Sequence, residues 1–531
     1  MKRMRKLMAL LVSLMMLFGL TTTAYAVDIT IKQDDVVSTE STYVAYKLLD
    51  AEKMNDNSGK YNYAINEKYR SILESATGKT EDVEIIQYIE AMVSDTDELN
   101  AFASEVYNAI TAAGLEEDEE SVDGVISDAD QGYYLIAESV LSSDTDTFSL
   151  VMLDTAGAED IDVNTKEGEP TLSKQVKEVN DSTGEYSWGA SADHDVNDIV
   201  EYQITGTVSE KYGSYESYYY SFVDTMDDSL TLQQDTVKVY VDGTFDQDGT
   251  YKKDGTDVTG QFEIEKSEHA LTVTANLKEL TGVTITADSQ IHVLYSAQLN
   301  EEAIFGTPGN RNTVYLEYEN DPYHEADGDN NPKTPNEPED PGKTPDKINI
   351  VFTFTTTVNK QDSAGEALKG AGFTLYKKYP AGTEGIDSDG YKEFKAFTAG
   401  DATTFTFAGL DAGQYKISET TIPSGYNKAA DIIFEVVAEY DATKEPVELI
   451  GLSAKDASGA TISSDTGENK VFKVTLDNEN SDLSTIVINK PGVVLPSTGG
   501  IGTTIFYAVG GVLVLAAVVL LITKKRMSAE K

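Results

Sequence analysis

The side chains that most often carry chemistry are few in this sequence, and their spacing excludes most enzyme classes. There is no cysteine in 531 residues. His194, His269, His292 and His324 are scattered without metal-ligand spacing, so no metal site is expected. No phosphate loop or Ser-His-Asp arrangement can be traced, and the single Trp188 forms no motif. One compact set of residues does read as a signal. Leu495-Pro496-Ser497-Thr498-Gly499 stands just before Ile501 to Thr523, a stretch with no charged side chain, and Lys524-Lys525-Arg526 follow it. An apolar helix of that length spans the roughly 30 Å hydrocarbon core of a bilayer. The basic cluster favours a cytoplasmic end.

The other end is consistent with export. Lys2, Arg3, Arg5 and Lys6 precede the apolar run Leu7 to Leu20, and Ala24-Tyr25-Ala26 supplies a small-residue cleavage site. That is the pattern of a secretory signal peptide over residues 1–26, with cleavage between Ala26 and Val27. An exported chain of this size could have used disulfides and does not. The net charge is -50, and removing the basic ends makes the remainder more acidic still. Such a surface repels nucleic acid and anionic lipid, so neither is expected as a partner.

Between these ends the hydropathy pattern predicts a mainly β protein. Alternating strands open the chain at DITIKQDD and TYVAYKLLD. The period then turns helical at Ile85, Ile86, Ile89, Met92 and Val93, and again at Leu99, Phe102, Val106 and Ile110, with Ser94-Asp95-Thr96-Asp97 offering an N-cap between them. Strands return at GYYLIAES, FSLVML and DIDVN. The expectation for residues 27–166 is a β-sandwich with a helical insertion on one side. A second domain, 167–354, contains IVEYQITGTV, YYYSFVDTM, VKVYV, ALTVTANL, QIHVLYSAQL and NTVYLEY, separated by turns such as Asp242-Gly243. A loop from Asp321 to Asp346 holds six of the thirteen prolines. Its DGDNNP lacks the glycine at position six and a correctly placed glutamate of a calcium loop, and reads as solvated. INIVFTF follows, closing domain two before feeding domain three. Short alternating strands over 355–491 predict an immunoglobulin-like sandwich. The sorting pentapeptide region is 492–499, the transmembrane helix 501–523 and the basic tail 524–531.

The pentapeptide, apolar span and basic tail together resemble the cell-wall sorting signal of Gram-positive surface proteins. That resemblance implies a sortase that cuts between Thr498 and Gly499 and passes the Thr498 carbonyl to an amine. Residues Tyr415 to Tyr426, YKISETTIPSGY, match the E-box of the collagen-adhesin B-type (Cna-B) domain found in sortase-assembled pilins, with Glu419 ahead of Pro423-Ser424-Gly425-Tyr426. In that family a first-strand lysine bonds covalently to a last-strand asparagine with the glutamate assisting, which implies Lys360, Asn489 and Glu419. Domain two resembles the fimbrial isopeptide-forming second domain of backbone pilins: PTLSKQVKE, FVDTMDDSLT and GNRNTVYLEYEN imply Lys174, Asp224 and Asn312. Domain one echoes domain three more faintly, with Lys32 in ITIKQDD, Glu138 in GYYLIAE and Asn164 in DIDVN, and no P-x-G-Y after Glu138. Backbone pilins also carry a nucleophilic lysine between domains one and two in a V-Y-P-K-like motif. Val163-Asn164-Thr165-Lys166 occupies that place, with Asn-Thr where the family has Tyr-Pro, and Lys177 is the fallback.

The resemblance implies a structural major pilin, Thr498 of one subunit joined to Lys166 of the next, with no cofactor and no enzymatic turnover beyond single-event isopeptide formation. Implied partners are pilin-specific and housekeeping sortases, further copies of the chain, peptidoglycan, ancillary pilins and a host surface ligand. A singly wall-anchored adhesin or ancillary pilin is the alternative.

Overall fold

A computed structural model describes residues 26–33, 36–54, 60–92, 96–141, 146–165, 168–322, 331–338, 340–477, 481–492 and 501–527. The expected signal peptide up to Tyr25, Lys166, the sorting pentapeptide and most of DGDNNP lie outside them.

Residues 27–165 form two facing sheets. Val27–Gln33 runs parallel to Asp160–Thr165, so the first and last strands lie side by side, with Val36–Val37 and Val125–Ala129 on the other edge. The second sheet is built on Thr42–Lys53 and Gly132–Val140. Its strand Gly132–Val140 serves two cores because side chains alternate across a strand. Tyr134 and Ile136 pack with Ile29, Ile31 and Val163 between the sheets. Leu135 and Ala137 pack outward against Leu73, Ile85, Phe102, Val106 and Ile110. Those last residues come from helices Arg70–Thr77, Asp82–Ala91 and Thr96–Ala112, the expected insertion on one side. Arg70–Thr77 ends at Gly78 in the left-handed region (φ 65°), where glycine carries no Cβ penalty.

The next body packs one sheet around Leu172–Val179, Ile199–Thr207 and Gln290–Leu299 onto another around Tyr219–Met226, Ala270–Asn276, Asn310–Tyr318 and Lys347–Phe352. The third pairs Phe354–Asp362 in parallel with Ser481–Asn489, facing a sheet centred on Gly372–Lys378, Gly413–Thr421 and Ile432–Asp441. The protein is thus mainly β with tandem pilin-like sandwiches, and Ile501–Met527 is a helix whose candidate membrane span Thr504–Arg526 contains an 18-residue window with a mean hydropathy of 2.8.

The strand Lys347–Phe352 does more than close the second body. Val351 belongs to the second core, whereas Ile350 and Phe352, facing the other way, belong to the third. Around it the two bodies interlock. His194 N donates to Phe352 O (3.0 Å) and Val196 N to Gly409 O (3.2 Å). Gly409, at φ 83°, is required there: a Cβ would lie 2.7 Å from Val196.

At this junction Lys377 is fully buried against carboxylates from both bodies: Asp181 (2.7 Å), Asp195, and Asp411 (2.9 Å). Its nitrogen stands where a bound cation would sit. Burial opposes its charge, but the three carboxylates outweigh that and hold the ammonium well above the usual lysine range. Asp193 is also buried and accepts from Tyr440 Oη (2.6 Å) and Ala412 N. Burial pushes Asp195 up to about 6 and Glu178, whose Oε2 accepts from Asp193 N (2.6 Å), up to about 8, with Asp193 and Asp411 moved the same way. Undocked and solvated, these acids would titrate near about 4. The docked junction therefore binds more protons between those limits, so docking strengthens as pH falls from about 8 toward 6 and weakens as it rises. Hydrogen exchange at residues 409–414, corrected for intrinsic rate, should show more protection at pH 6 than at pH 9. Lys377→Met leaves buried carboxylates uncompensated and should cost about 3–5 kcal/mol of stability; unchanged protection in that variant would contradict the lock.

Candidate functional site

Strand parity decides which lysines can react. On Phe354–Asp362 the inward positions are Phe354, Thr356, Val358 and then Lys360, so a lysine takes a core position and is 1% exposed. On Ser481–Asn489 the inward set runs through Leu483, Thr485 and Val487 to Asn489. Parallel register places Lys360 beside Val487 and Asp362 beside Asn489, which sets both functional side chains on one face. Glu419 arrives from the facing sheet, inward like Tyr415 and Ile417. Asn489 Nδ2 donates to Glu419 Oε1 (2.8 Å), and the same oxygen is 4.0 Å from Lys360 Nζ. Glu419 Oε2 accepts from Ala429 N (2.9 Å), while Lys360 Nζ donates to the carbonyls of Val487 and Gln361, both at 3.1 Å. Asn489 Oδ1 is buried with no hydrogen-bond partner among the described residues. Burial lowers the Lys360 pKa, against the pull of Glu419.

The second constellation bridges two sheets. Lys174 lies between Leu172 and Val176 at an inward position of its strand. Asp224 and Asn312 stand on the neighbouring strands Tyr219–Met226 and Asn310–Tyr318 of the other sheet, where Asp224 pairs with Val314 and Met226 with Asn312. All three side chains are buried. Lys174 Nζ donates to Asn312 Oδ1 (2.6 Å) and to Asp224 Oδ2. Tyr295 Oη donates to Asp224 Oδ2 (3.0 Å) and accepts from Asn312 Nδ2 (2.8 Å). Tyr202 stacks on Tyr295 with centroids 5.2 Å apart, and Lys174 Nζ lies 5.6 Å and 6.0 Å from these ring centres. Burial pulls the amine down to about 8, although Asp224 opposes this, and raises the Asp224 carboxyl against the effect of Lys174. Both shifts move the pair toward a neutral amine and a neutral acid. That state can acylate: the amine attacks the asparagine carbonyl while the acid moves protons.

In domain one the third set does not assemble. Ile31 is inward, so Lys32, its direct neighbour, points out and pairs with Asp162 at 2.7 Å. Val163 is inward and Asn164 therefore exposed on the same outer face. Glu138 alone is inside, where burial raises it to about 7; its Oε2 accepts from Ser149 N (3.1 Å). In domain three one residue separates Val358 from Lys360 and Val487 from Asn489, and that single step turns both inward.

Lys177 is held rather than free. Its amine pairs with Glu201 at 3.0 Å and lies over the rings of Tyr186 (4.8 Å) and Trp188 (6.0 Å). Val27, the first residue after the expected signal cleavage at Ala26, opens the first strand and is buried. Tyr295 and the Lys377 cluster were missed from sequence. A lysine at the apolar parity of GFTLYKK was the available signal for the latter.

Three stretches match known families. Residues 196–322, holding Asp224, Tyr295 and Asn312, match the Gram-positive pilin backbone subunit 2, Cna-B-like domain. Residues 354–448, holding Lys360 and Glu419, match a prealbumin-like fold domain. Residues 488–528 match the LPXTG cell wall anchor motif. The trypsin-resistant surface T6 protein of Streptococcus pyogenes is 23% identical over 343 residues, covering 57% of this chain and 60% of that protein's length. Among solved structures, the T6 backbone pilin of serotype M6 Streptococcus pyogenes has a TM-score of 0.54 at 15% identity, covering 90% of this chain and 100% of that one. The full-length major pilin SpaD of Corynebacterium diphtheriae gives 0.43 at 16% identity, covering 88% and 98%.

The difference between buried and surface lysines is measurable. Lys32→Ala removes a solvated ion pair and should cost no more than about 1 kcal/mol in chemical denaturation. A loss of several kcal/mol would contradict the outward placement of Lys32.

Proposed function

We propose that this chain, which carries the backbone module and wall anchor of Gram-positive surface pilins, is the structural major subunit of a covalent pilus. Its anchor motif and apolar helix make it a wall-anchored surface protein, held in the membrane only as a precursor. The observation that carries the reading is the buried contact between Lys174 Nζ and Asn312 Oδ1 beside Asp224, inside a body that matches the pilin backbone.

Each of domains two and three closes one Lys–Asn amide. The neutral amine nitrogen bonds to the asparagine carbonyl carbon, the bond from that carbon to Nδ2 breaks, and ammonia leaves. Asp224 and Glu419 transfer the proton between the two nitrogens. Packing holds the reactants within contact and supplies a large effective concentration. The resulting staples take the place that disulfides hold in other exported proteins. Lys174–Asn312 ties one sheet of its sandwich to the other, and Lys360–Asn489 ties the first strand of domain three to its last. Sortase then joins Thr498 of one subunit to Lys166 of the next. This contact is heterologous and does not close on itself, so it generates a filament.

Boiled wall extracts are expected to contain a ladder of high-mass species that Lys166→Ala reduces to monomer. A ladder that survives the substitution removes Lys166 from the role. Its absence in the wild type favours a singly anchored adhesin. Intact mass of the exported protein should fall short of the sequence mass by two ammonia equivalents, and Asp224→Ala and Glu419→Ala should each restore one. No deficit in the wild type contradicts the isopeptide reading.

A further inference from the structure

The two constellations differ in how the acid reaches the leaving nitrogen. In domain three Glu419 Oε1 accepts directly from Asn489 Nδ2 at 2.8 Å, so one carboxyl group serves both nitrogens. In domain two the Asn312 Nδ2 donates instead to Tyr295 Oη (2.8 Å), and that hydroxyl donates to Asp224 Oδ2 (3.0 Å), the same oxygen that Lys174 Nζ contacts. The tyrosine stands between acid and leaving group. Its hydroxyl is buried, and stacking on Tyr202 fixes the ring.

We infer that Tyr295 is a catalytic residue of the Lys174–Asn312 condensation, relaying a proton from Asp224 to the departing Asn312 nitrogen. The inference rests on the isopeptide reading of domain two and extends it. Lys174 enters as a neutral amine and Asp224 as a neutral acid. Nζ bonds to the Asn312 carbonyl carbon, and the carbonyl electron pair moves onto Oδ1. As an amide, Nδ2 has no lone pair to accept with; in the tetrahedral adduct it has one. The Tyr295 hydroxyl then turns to donate its proton to Nδ2 while taking one from Asp224, and Asp224, now a carboxylate, takes the excess proton from Nζ. Oδ1 re-forms the carbonyl and the bond to Nδ2 breaks. Ammonia leaves, and both Asp224 and Tyr295 end in their starting protonation states. Burial holds the phenol well above its ordinary pKa, so it keeps a proton to give. Domain three needs no such residue, and Tyr415, on the same strand as Glu419, instead donates to Asp411 Oδ1 (2.7 Å).

The test is a cell-free translation pulse of the full chain, with digestion at intervals and mass analysis of the Lys174–Asn312 and Lys360–Asn489 crosslinked peptides. Tyr295→Phe keeps the ring and its stack, and should slow the domain-two bond by roughly 100-fold while leaving the domain-three bond at wild-type rate, since a positioned proton-transfer group contributes about 10²–10⁴-fold. Equal domain-two rates in wild type and Tyr295→Phe overturn the relay. A wild type that forms no domain-two bond overturns the underlying reading instead, which keeps the two failures distinct. Should Tyr295→Phe fail to fold, as shown by loss of the domain-three bond as well, uniform incorporation of 3-fluorotyrosine keeps the shape and acidifies the phenol. It should then change the domain-two rate and its pH profile relative to domain three. An unchanged ratio of the two rates overturns the relay.

Discussion

A lysine amine removed from water must either lose its charge or keep compensating charges around it, and this one constraint sorts the lysines of the protein. Lys174 and Lys360 have each lost most of their solvent and face a single carboxyl group, and both are pushed toward the neutral, nucleophilic form. Lys377 is equally buried but faces three carboxylates and is pushed the opposite way. The first two are poised to acylate, whereas the third is poised to stay an ion. Lys32 lies on the outside of its sheet and pairs with Asp162.

On the proposed chemistry, one staple crosses the sandwich of domain two and another joins the first and last strands of domain three, with the Lys377 junction between the two bodies. The shared strand Lys347–Phe352 contributes side chains to both cores, so the two bodies cannot part without exposing Ile350 and Phe352. The contact between domains one and two includes three hydrogen bonds of about 3.0 Å. Phe148 N donates to Asn320 O (3.0 Å), and Lys211 Nζ donates to Thr147 O and Ser149 Oγ, both at 3.0 Å. The proposed covalent bonds inside the bodies and the charge compensation between two of them would resist separation by different physics, the first independent of pH and the second not.

Much of this was legible in the sequence. Alternation gave the sandwiches, a change of period gave the helices over 70–112, and the E-box residues pointed to Lys360, Glu419 and Asn489, which the fold brings together. The echo in domain one holds by letter and not by parity. ITIKQ and TVNKQ both contain a lysine after a β-branched residue, but one intervening asparagine decides whether that lysine faces core or water. The Lys377 cluster was hidden for another reason: its carboxylates come from Asp181, Asp195 and Asp411, which only the docking of two bodies makes neighbours. Tyr295 was one inward residue among the alternating apolar side chains of QIHVLYSAQL and gained its role only from two strands in the facing sheet. Local periodicity reports which face a residue takes, but not what the opposite sheet presents to it.

The central claim is that the buried amines of Lys174 and Lys360 are consumed rather than retained. Tandem mass spectrometry of proteolysed protein taken from the cell surface tests this most directly. The account predicts branched peptides joining Lys174 to Asn312 and Lys360 to Asn489, each lighter by one ammonia than the sum of its two linear parts. Recovery of both lysines and both asparagines only in unmodified linear peptides would contradict it.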